Sequence, residues 1–310
     1  MKIDIYCHFL TPKYFQALKK KAKPGFNFQR ESDNPANVDL DVRLRLLDRY
    51  QDVVEVLSMS QPPLESICSP TDAVGLAKIG NDELAELCVK HPDKFVGAVA
   101  CLPLNDMEAA LAEVDRAITQ LRFKGVQIYS NINGDTLDNP RFRPLWEKMV
   151  KYDLPVWIHP FKDATGGEPV FGWPFETSHA MLKLVAGGVF RDYPNIKFVI
   201  HHAGAMVPFF EQRIFWTYPL EYGSSGITDP KEQFKKFFCD TAVYGSVSAL
   251  MCAYNFYGPD HMFFGSDAPL GPRYGLTGET IRSIQQMPIP EADKEKIFEL
   301  NAVNLLKIAI

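Results

Sequence analysis

The 310-residue chain is most informative at first in what it lacks. No stretch approaches 18 uninterrupted apolar residues, so no membrane-spanning helix is expected. Asp4 and His8 interrupt the start too early for the apolar core of a signal peptide. The six cysteines, Cys7, Cys68, Cys88, Cys101, Cys239 and Cys252, show no paired or CxxC spacing and read as reduced, mostly buried thiols of a cytoplasmic protein. There is no excess of positive charge: the formal net charge is -5, and the one basic cluster, Lys19 to Lys23, reads as a solvated helix end. Nucleic-acid and membrane-surface partners are therefore not expected. No GxGxxG follows the first strand-like run, which argues against a dinucleotide fold. No internal repeat or low-complexity linker divides the chain, so residues 1–310 are expected to form one domain.

What the chain does contain is alternation. With 46% hydrophobic residues it has material for a large core. Short runs rich in Val, Ile and Phe are separated by longer segments with helical spacing, the pattern of repeated βα units. Strands are expected over Ile3–His8, Val53–Ser58, Phe95–Leu102, Gly125–Tyr129, Pro155–His159, Ile196–His201, Phe237–Thr241 and Met262–Ser266. Helices are expected over Leu40–Tyr50, Asp82–Lys90, Met107–Arg122 with Asp106 as its cap, Arg143–Tyr152, Ser178–Val185 and Lys294–Leu306. Eight strands in this rhythm point to a single-domain α/β fold, a (β/α)8 TIM barrel. Two long connections interrupt the rhythm, Leu10–Asp39 after strand one and Pro160–Thr177 after strand five, and in a barrel both insertions lie at the carboxyl-terminal face where active sites are built. The second carries the glycine pair Gly166–Gly167 with Phe161, Phe171, Trp173 and Phe175. These rings read either as the wall of a planar apolar ligand's site or as anchors of the loop itself.

Side chains alternate along a strand, so Tyr6 and His8 are expected to face the barrel interior together, with Ile5 and Cys7 turned toward the helices. VWIHP ends strand five at His159, VIHHAG ends strand six at His201 and His202, and FFGSD ends strand eight at Asp267. Four strands thus bring imidazole or carboxylate to one rim. Neutral imidazole and carboxylate are the usual ligands of divalent zinc, and three protein ligands with an open position make a catalytic site.

On the stretches IDIYCHF, LPVWIHP, FGWPFETSHAMLKLVAGGVFRDYPNIKFVIHHAGAMVPFFEQRI, FFGSDAP and EKIFELNAVNLLKI, the chain resembles the amidohydrolase-2 branch of the amidohydrolase superfamily, which includes aminocarboxymuconate-semialdehyde and γ-resorcylate decarboxylases. The resemblance runs from the first strand to the last helix. It implies one divalent metal ion, zinc by default and manganese next, held by His8, His159 and Asp267, and a catalytic pair formed by Asp267 and His202, with His201 as a structural neighbour. Arg213 is expected to grip a substrate carboxylate bidentately or to anchor its helix through an ion pair, with Trp173, Phe161 and Tyr6 as substrate contacts. A homodimer or larger homo-oligomer is implied as well.

The chain departs from that family's pattern at Tyr6, where a histidine or glutamate is usual. A phenol titrates near pH 10 and is a poor ligand unless a metal lowers that value. The metal then stays on His8, His159 and Asp267 with water at the vacant position, or Tyr6 binds as phenolate, or the site holds no metal; the first is the reading adopted. The reaction implied is non-oxidative decarboxylation of a small aromatic or conjugated unsaturated carboxylic acid, with Asp267 delivering the proton and His202 as its source or reservoir. A metal-dependent hydrolase of an ester, lactone or amide, or a hydratase, uses the same parts, and Tyr6 leaves open a metal-free, catalytically silent barrel.

Overall fold

The β-branched and aromatic runs do form strands. In the computed structural model of the chain, which describes residues 1–161, 168–272 and 276–309, these are β1 (Lys2–Phe9), β2 (Val53–Met59), β3 (Phe95–Ala98, resumed at Ala100–Cys101), β4 (Val126–Tyr129), β5 (Val156–His159), β6 (Phe198–Ile200) and β7 (Phe238–Cys239). All neighbours pair in parallel, β1 with β2, β2 with the first part of β3, its second part with β4, and so on to β7. The eighth stave differs from expectation. Met262–Ser266 is not a continuous strand but an extended segment that bonds both edges: Met262 bridges Cys239, Phe263 N–H donates to Cys239 at 2.9 Å, and Phe264 accepts from Ile5 N–H at 3.0 Å. Those bonds join β7 to β1 and close the TIM barrel.

Inside the ring, Ile3, Ile5, Tyr6, Val54, Val56, Val99, Trp157, Val199 and Phe263 form one apolar cluster, plugged by Ala302, Leu305 and Leu306 of the last helix. The β1 register shifts between Asp4 and Cys7. This extra residue explains why Ile5, expected on the helix side, joins Tyr6 in the interior while Cys7 packs outside. Trp157 Nε1–H donates to the Ile5 carbonyl at 3.0 Å and ties the bulged strand to β5 across the barrel.

The helices pack around this ring. Met107–Thr119 is capped by Asp106, whose side chain accepts from Ala109 N–H at 3.0 Å; it ends short of Arg122, where the backbone turns left-handed at φ 60°. Pro70–Lys90 begins well before the expected Asp82, started by the Ser69 cap. Gly80 inside it belongs there on steric grounds, because a Cβ would stand 2.7 Å from Met59 Cε and 3.0 Å from Tyr14. The insertion Leu10–Asp39 carries helices Pro12–Lys21, Gln29–Ser32 and Pro35–Val38. After β5, the helix Gly172–Ala186 starts earlier than Ser178, so Trp173 and Phe175 are helical rather than loop residues; Gly166 and Gly167 lie outside the described residues. No helix among the described residues is long and apolar enough to cross a membrane, and all six cysteines are free thiols.

Outside β1 and β2, Arg43 and Glu55 form a fully buried bidentate pair, with N···O distances of 2.7 and 3.1 Å. Arg43 also reaches the Ala268 carbonyl at 3.5 Å, beside the carboxyl end of the barrel. Removing one member of such a pair leaves a buried charge uncompensated. Arg43→Met is expected to lower unfolding stability by about 3–5 kcal/mol, read as a drop in the urea midpoint. The double replacement Arg43→Met, Glu55→Leu is expected to recover most of that loss.

Candidate metal centre and active site

Three of the strand ends behave as the two-residue period dictates. On β2, Val54 and Val56 face inward, and the next inward position is Ser58; on β5, Trp157 is followed by His159; on β6, Val199 is followed by His201. With His8 at the end of β1 and Asp267 after the eighth stave, four fully buried side chains converge: His8, His159, His201 and Asp267 each offer one ligand atom, and those atoms all lie within 4.8 Å of one another. His8 Nε2 is 3.2 Å and His201 Nε2 3.1 Å from the same oxygen, Asp267 Oδ1. None of the three Nε2 atoms, nor either Asp267 oxygen, has a hydrogen-bond partner.

The other ring nitrogens explain this. Ser58 Oγ–H donates to the Cys7 carbonyl at 2.7 Å, so at 2.8 Å it serves His8 Nδ1–H as acceptor. His159 Nδ1–H donates to the Pro160 carbonyl at 2.7 Å, and His201 Nδ1–H to Asp240 Oδ2. Each imidazole thus spends its Nδ1 proton on an outer acceptor and turns Nε2 toward the centre, the arrangement that holds metal-ligating histidines in place. Five buried, unpartnered donor atoms around one point fit a divalent cation and would be costly without one.

The electrostatics agree. Burial pushes His8 and His159 below the ordinary imidazole range, so both are neutral and ready to ligate. Burial opposes charge on His201 as well, but the adjacent Asp240 and Asp267 outweigh it and hold its proton well above that range. Burial would raise Asp267, yet contact with His201 and His8 keeps it a carboxylate, well below the usual range. Tyr6 is driven upward by burial and by Asp240 and Asp267, and stays a neutral phenol. Its ring lies flat on His201, centroids 3.9 Å apart and planes 8° off parallel.

Sequence reasoning brought His8, His159 and Asp267 to one rim, and the structure groups them. It put His201 outside the group and His202 within it, whereas His201 is the fourth member. His202 follows in left-handed backbone, φ 59°, its ring 3.9 Å from that of His201 and facing a cavity of about 290 Å³ with Val243 and Cys252. Burial and the neighbouring His201 pull it down to about 3, so it is neutral at pH 7. The signal missed was the period itself, since Val199 inward requires residue 201 inward. Trp173 stands 6.0 Å from His159, and Phe161 sits behind Tyr129, which is 5.6 Å from His159.

Arg213 is exposed on the helix Glu211–Tyr222, in the wall of an apolar cavity of about 350 Å³ with Phe175, His179 and Phe210. The arginine that does reach the mouth is Arg30, from the insertion after β1, whose guanidinium lies 4.8 Å over the Trp173 ring. Tyr244 lies within electrostatic reach of both groups: burial and Asp267 raise this phenol to about 12, and Arg30 lowers it.

A closed parallel barrel carrying three histidines and an aspartate at its carboxyl rim defines a metal-dependent barrel enzyme. Comparison with known proteins makes this specific: the amidohydrolase family profile spans residues 7–308, and the chain belongs to that family. It is 30% identical to 2-amino-3-carboxymuconate-6-semialdehyde decarboxylase of Dictyostelium discoideum over 99% of this chain and 91% of that one. It is 29% identical to γ-resorcylate decarboxylase of Rhizobium sp., over 99% and 98%. Among solved structures, a dihydroxybenzoic acid decarboxylase from Polaromonas, with bound manganese and the inhibitor 2-nitroresorcinol, superposes with a TM-score of 0.83 at 25% identity, covering 99% of this chain and 96% of that one.

Because only His201 among the ligands keeps an extra proton in the empty cluster, metal uptake should release one proton, not three. Between pH 6 and 8, below the shifted His201 value, apparent affinity should rise about tenfold per pH unit. Calorimetric titration in two buffers of different ionisation enthalpy reads the number directly; a value near zero would contradict this electrostatic assignment.

Proposed function

We propose that the chain is a metal-dependent, non-oxidative decarboxylase of a small aromatic or conjugated unsaturated carboxylic acid, a carbon–carbon lyase. The observation that carries this reading is the convergence of three oriented imidazoles with Asp267 in a chain whose relatives across nearly its full length are decarboxylases. His8, His159, His201 and Asp267 would hold a divalent ion, which would supply Lewis acidity toward the substrate's carboxylate. Three nitrogens and one carboxylate make a donor set that suits zinc, while the manganese of the Polaromonas structure supports the harder alternative.

The rest is done by side chains. Asp267 faces the carbon bearing the carboxylate. Ionised when the site is empty, it acts as acid only after taking a proton in the loaded site. His202, neutral and stacked beside His201, relays that proton rather than storing it. Proton transfer to the ring carbon is followed by cleavage of the carbon–carbon bond, whose electrons restore the conjugated system as carbon dioxide leaves. Trp173 and Phe161 with Tyr129 wall a planar substrate, and Arg30 takes the carboxylate-binding role first assigned to Arg213. The exposed Phe209, Phe215, Trp216 and Leu220 around the helix Glu211–Tyr222 support a homo-oligomer, and the free thiols a reducing, cytoplasmic setting.

The test is carbon dioxide release from hydroxybenzoates by protein reloaded with zinc or manganese. Asp267→Asn should lower turnover by about 10²–10⁴-fold or more with the fold intact; wild-type rates in that variant would remove Asp267 from its role. Arg30→Ala should raise KM about tenfold, the scale of one partly solvated charged hydrogen bond, whereas Arg213→Ala should stay within about twofold of wild type.

A further inference from the structure

In the pattern this chain resembles, strand one gives two ligands, at the positions of residues 6 and 8. Here residue 6 is a tyrosine, and the structure shows what stands in for it. His201 comes from β6 with its Nε2 3.1 Å from Asp267 Oδ1, matching the 3.2 Å of His8 on the same oxygen. The Tyr6 ring covers the His201 face, and the phenol's hydroxyl is buried without a hydrogen-bond partner. Asp240, which accepts from His201 Nδ1, is itself immobilised: its Oδ1 accepts from Ala203 and Ala242 N–H, each at 3.0 Å. Gly265 lets these pieces meet, since a Cβ there would stand 2.8 Å from Asp240 Cβ and 3.0 Å from Tyr6 Cβ.

We propose that in this chain the fourth metal ligand is relocated from strand one to strand six: His201 ligates in place of residue 6, Asp240 positions it, and Tyr6 is the platform that fixes the plane of its imidazole. A tyrosine at position 6 therefore leaves the metal centre intact. It removes one nitrogen from the donor set and packs against the nitrogen that replaces it. The neutral phenol is not a ligand but the flat, rigid surface against which the new ligand is held, with Asp240 as its edge-on restraint. The inference concerns the metal centre alone and stands or falls independently of the reaction assigned above.

The experiment uses the full chain, stripped with a chelator and reloaded with zinc or cobalt(II), with metal content by elemental analysis, affinity by competition with a chromophoric chelator, and the visible spectrum of the cobalt form. Circular dichroism checks the fold of each variant. Tyr6→Phe should retain one equivalent and an unchanged cobalt spectrum. His201→Ala should lose metal under the same wash, and Tyr6→His in the His201→Ala background should restore it by returning the donor to strand one. Asp240→Asn should weaken affinity by about 10–100-fold, the usual effect of removing a ligand's orienting partner, with the spectrum broadened. The proposal is overturned if His201→Ala keeps one equivalent with an unaltered spectrum, or if Tyr6→Phe releases the metal. Because none of these readouts depends on carbon dioxide release, an inactive but metal-replete wild type would count against the decarboxylase reading and leave the relocation standing.

Discussion

The site depends on where three Nδ1 protons go. Ser58, the Pro160 carbonyl and Asp240 each accept one of them, and that leaves His8, His159 and His201 with their Nε2 atoms turned toward the Asp267 carboxylate. If any of these acceptors were missing, the corresponding ring would be free to rotate or to change tautomer, and one of the five unpartnered donor atoms would turn away. Burial makes the same arrangement one-sided. It keeps His8 and His159 neutral, while the two aspartates hold a proton on His201 that a cation must displace.

The barrel supplies these acceptors from distant parts of the chain. Ser58 stands on the strand next to His8, and Asp240 follows the strand next to His201. Asp267 is set by backbone bonds on either side, its own N–H donating to the Tyr6 carbonyl at 2.9 Å and the following Ala268 carbonyl accepting from His8 N–H at 2.7 Å. Its left-handed backbone, φ 62°, and the positive φ of His202, Ala203 and Ala205 concentrate conformational strain at the ends of the sixth and eighth staves. That strain persists because the surrounding hydrogen bonds leave no alternative. It is also what turns consecutive residues of VIHHAG in different directions, His201 into the ligand group and His202 toward the adjoining cavity.

Much of this was legible in the residues. The alternation of apolar runs with helical segments gave the eightfold rhythm, and the polar residues ending strands one, five, six and eight marked the rim that carries chemistry. Helix Arg143–Tyr152 matches its expected span, and Asp106 caps its helix as expected. The errors cluster where one element meets another. Ile5 was turned the wrong way because a bulge inserts a residue that only the pairing with β2 reveals. Arg30, unremarkable in a long insertion, folds back over Trp173, a contact that no local pattern marks.

The sequence by itself determined the repeat of strands and helices and the identity of the donors, because hydrophobic period and ligand chemistry are properties of short stretches. Only the tertiary structure decided which of two adjacent histidines joins the buried group, where Arg30 and Arg213 lie, and that Tyr6 packs flat on His201. Those choices rest on strand register and on acceptors such as Asp240, 39 residues beyond the ring it orients, and no local pattern records a contact made across the barrel.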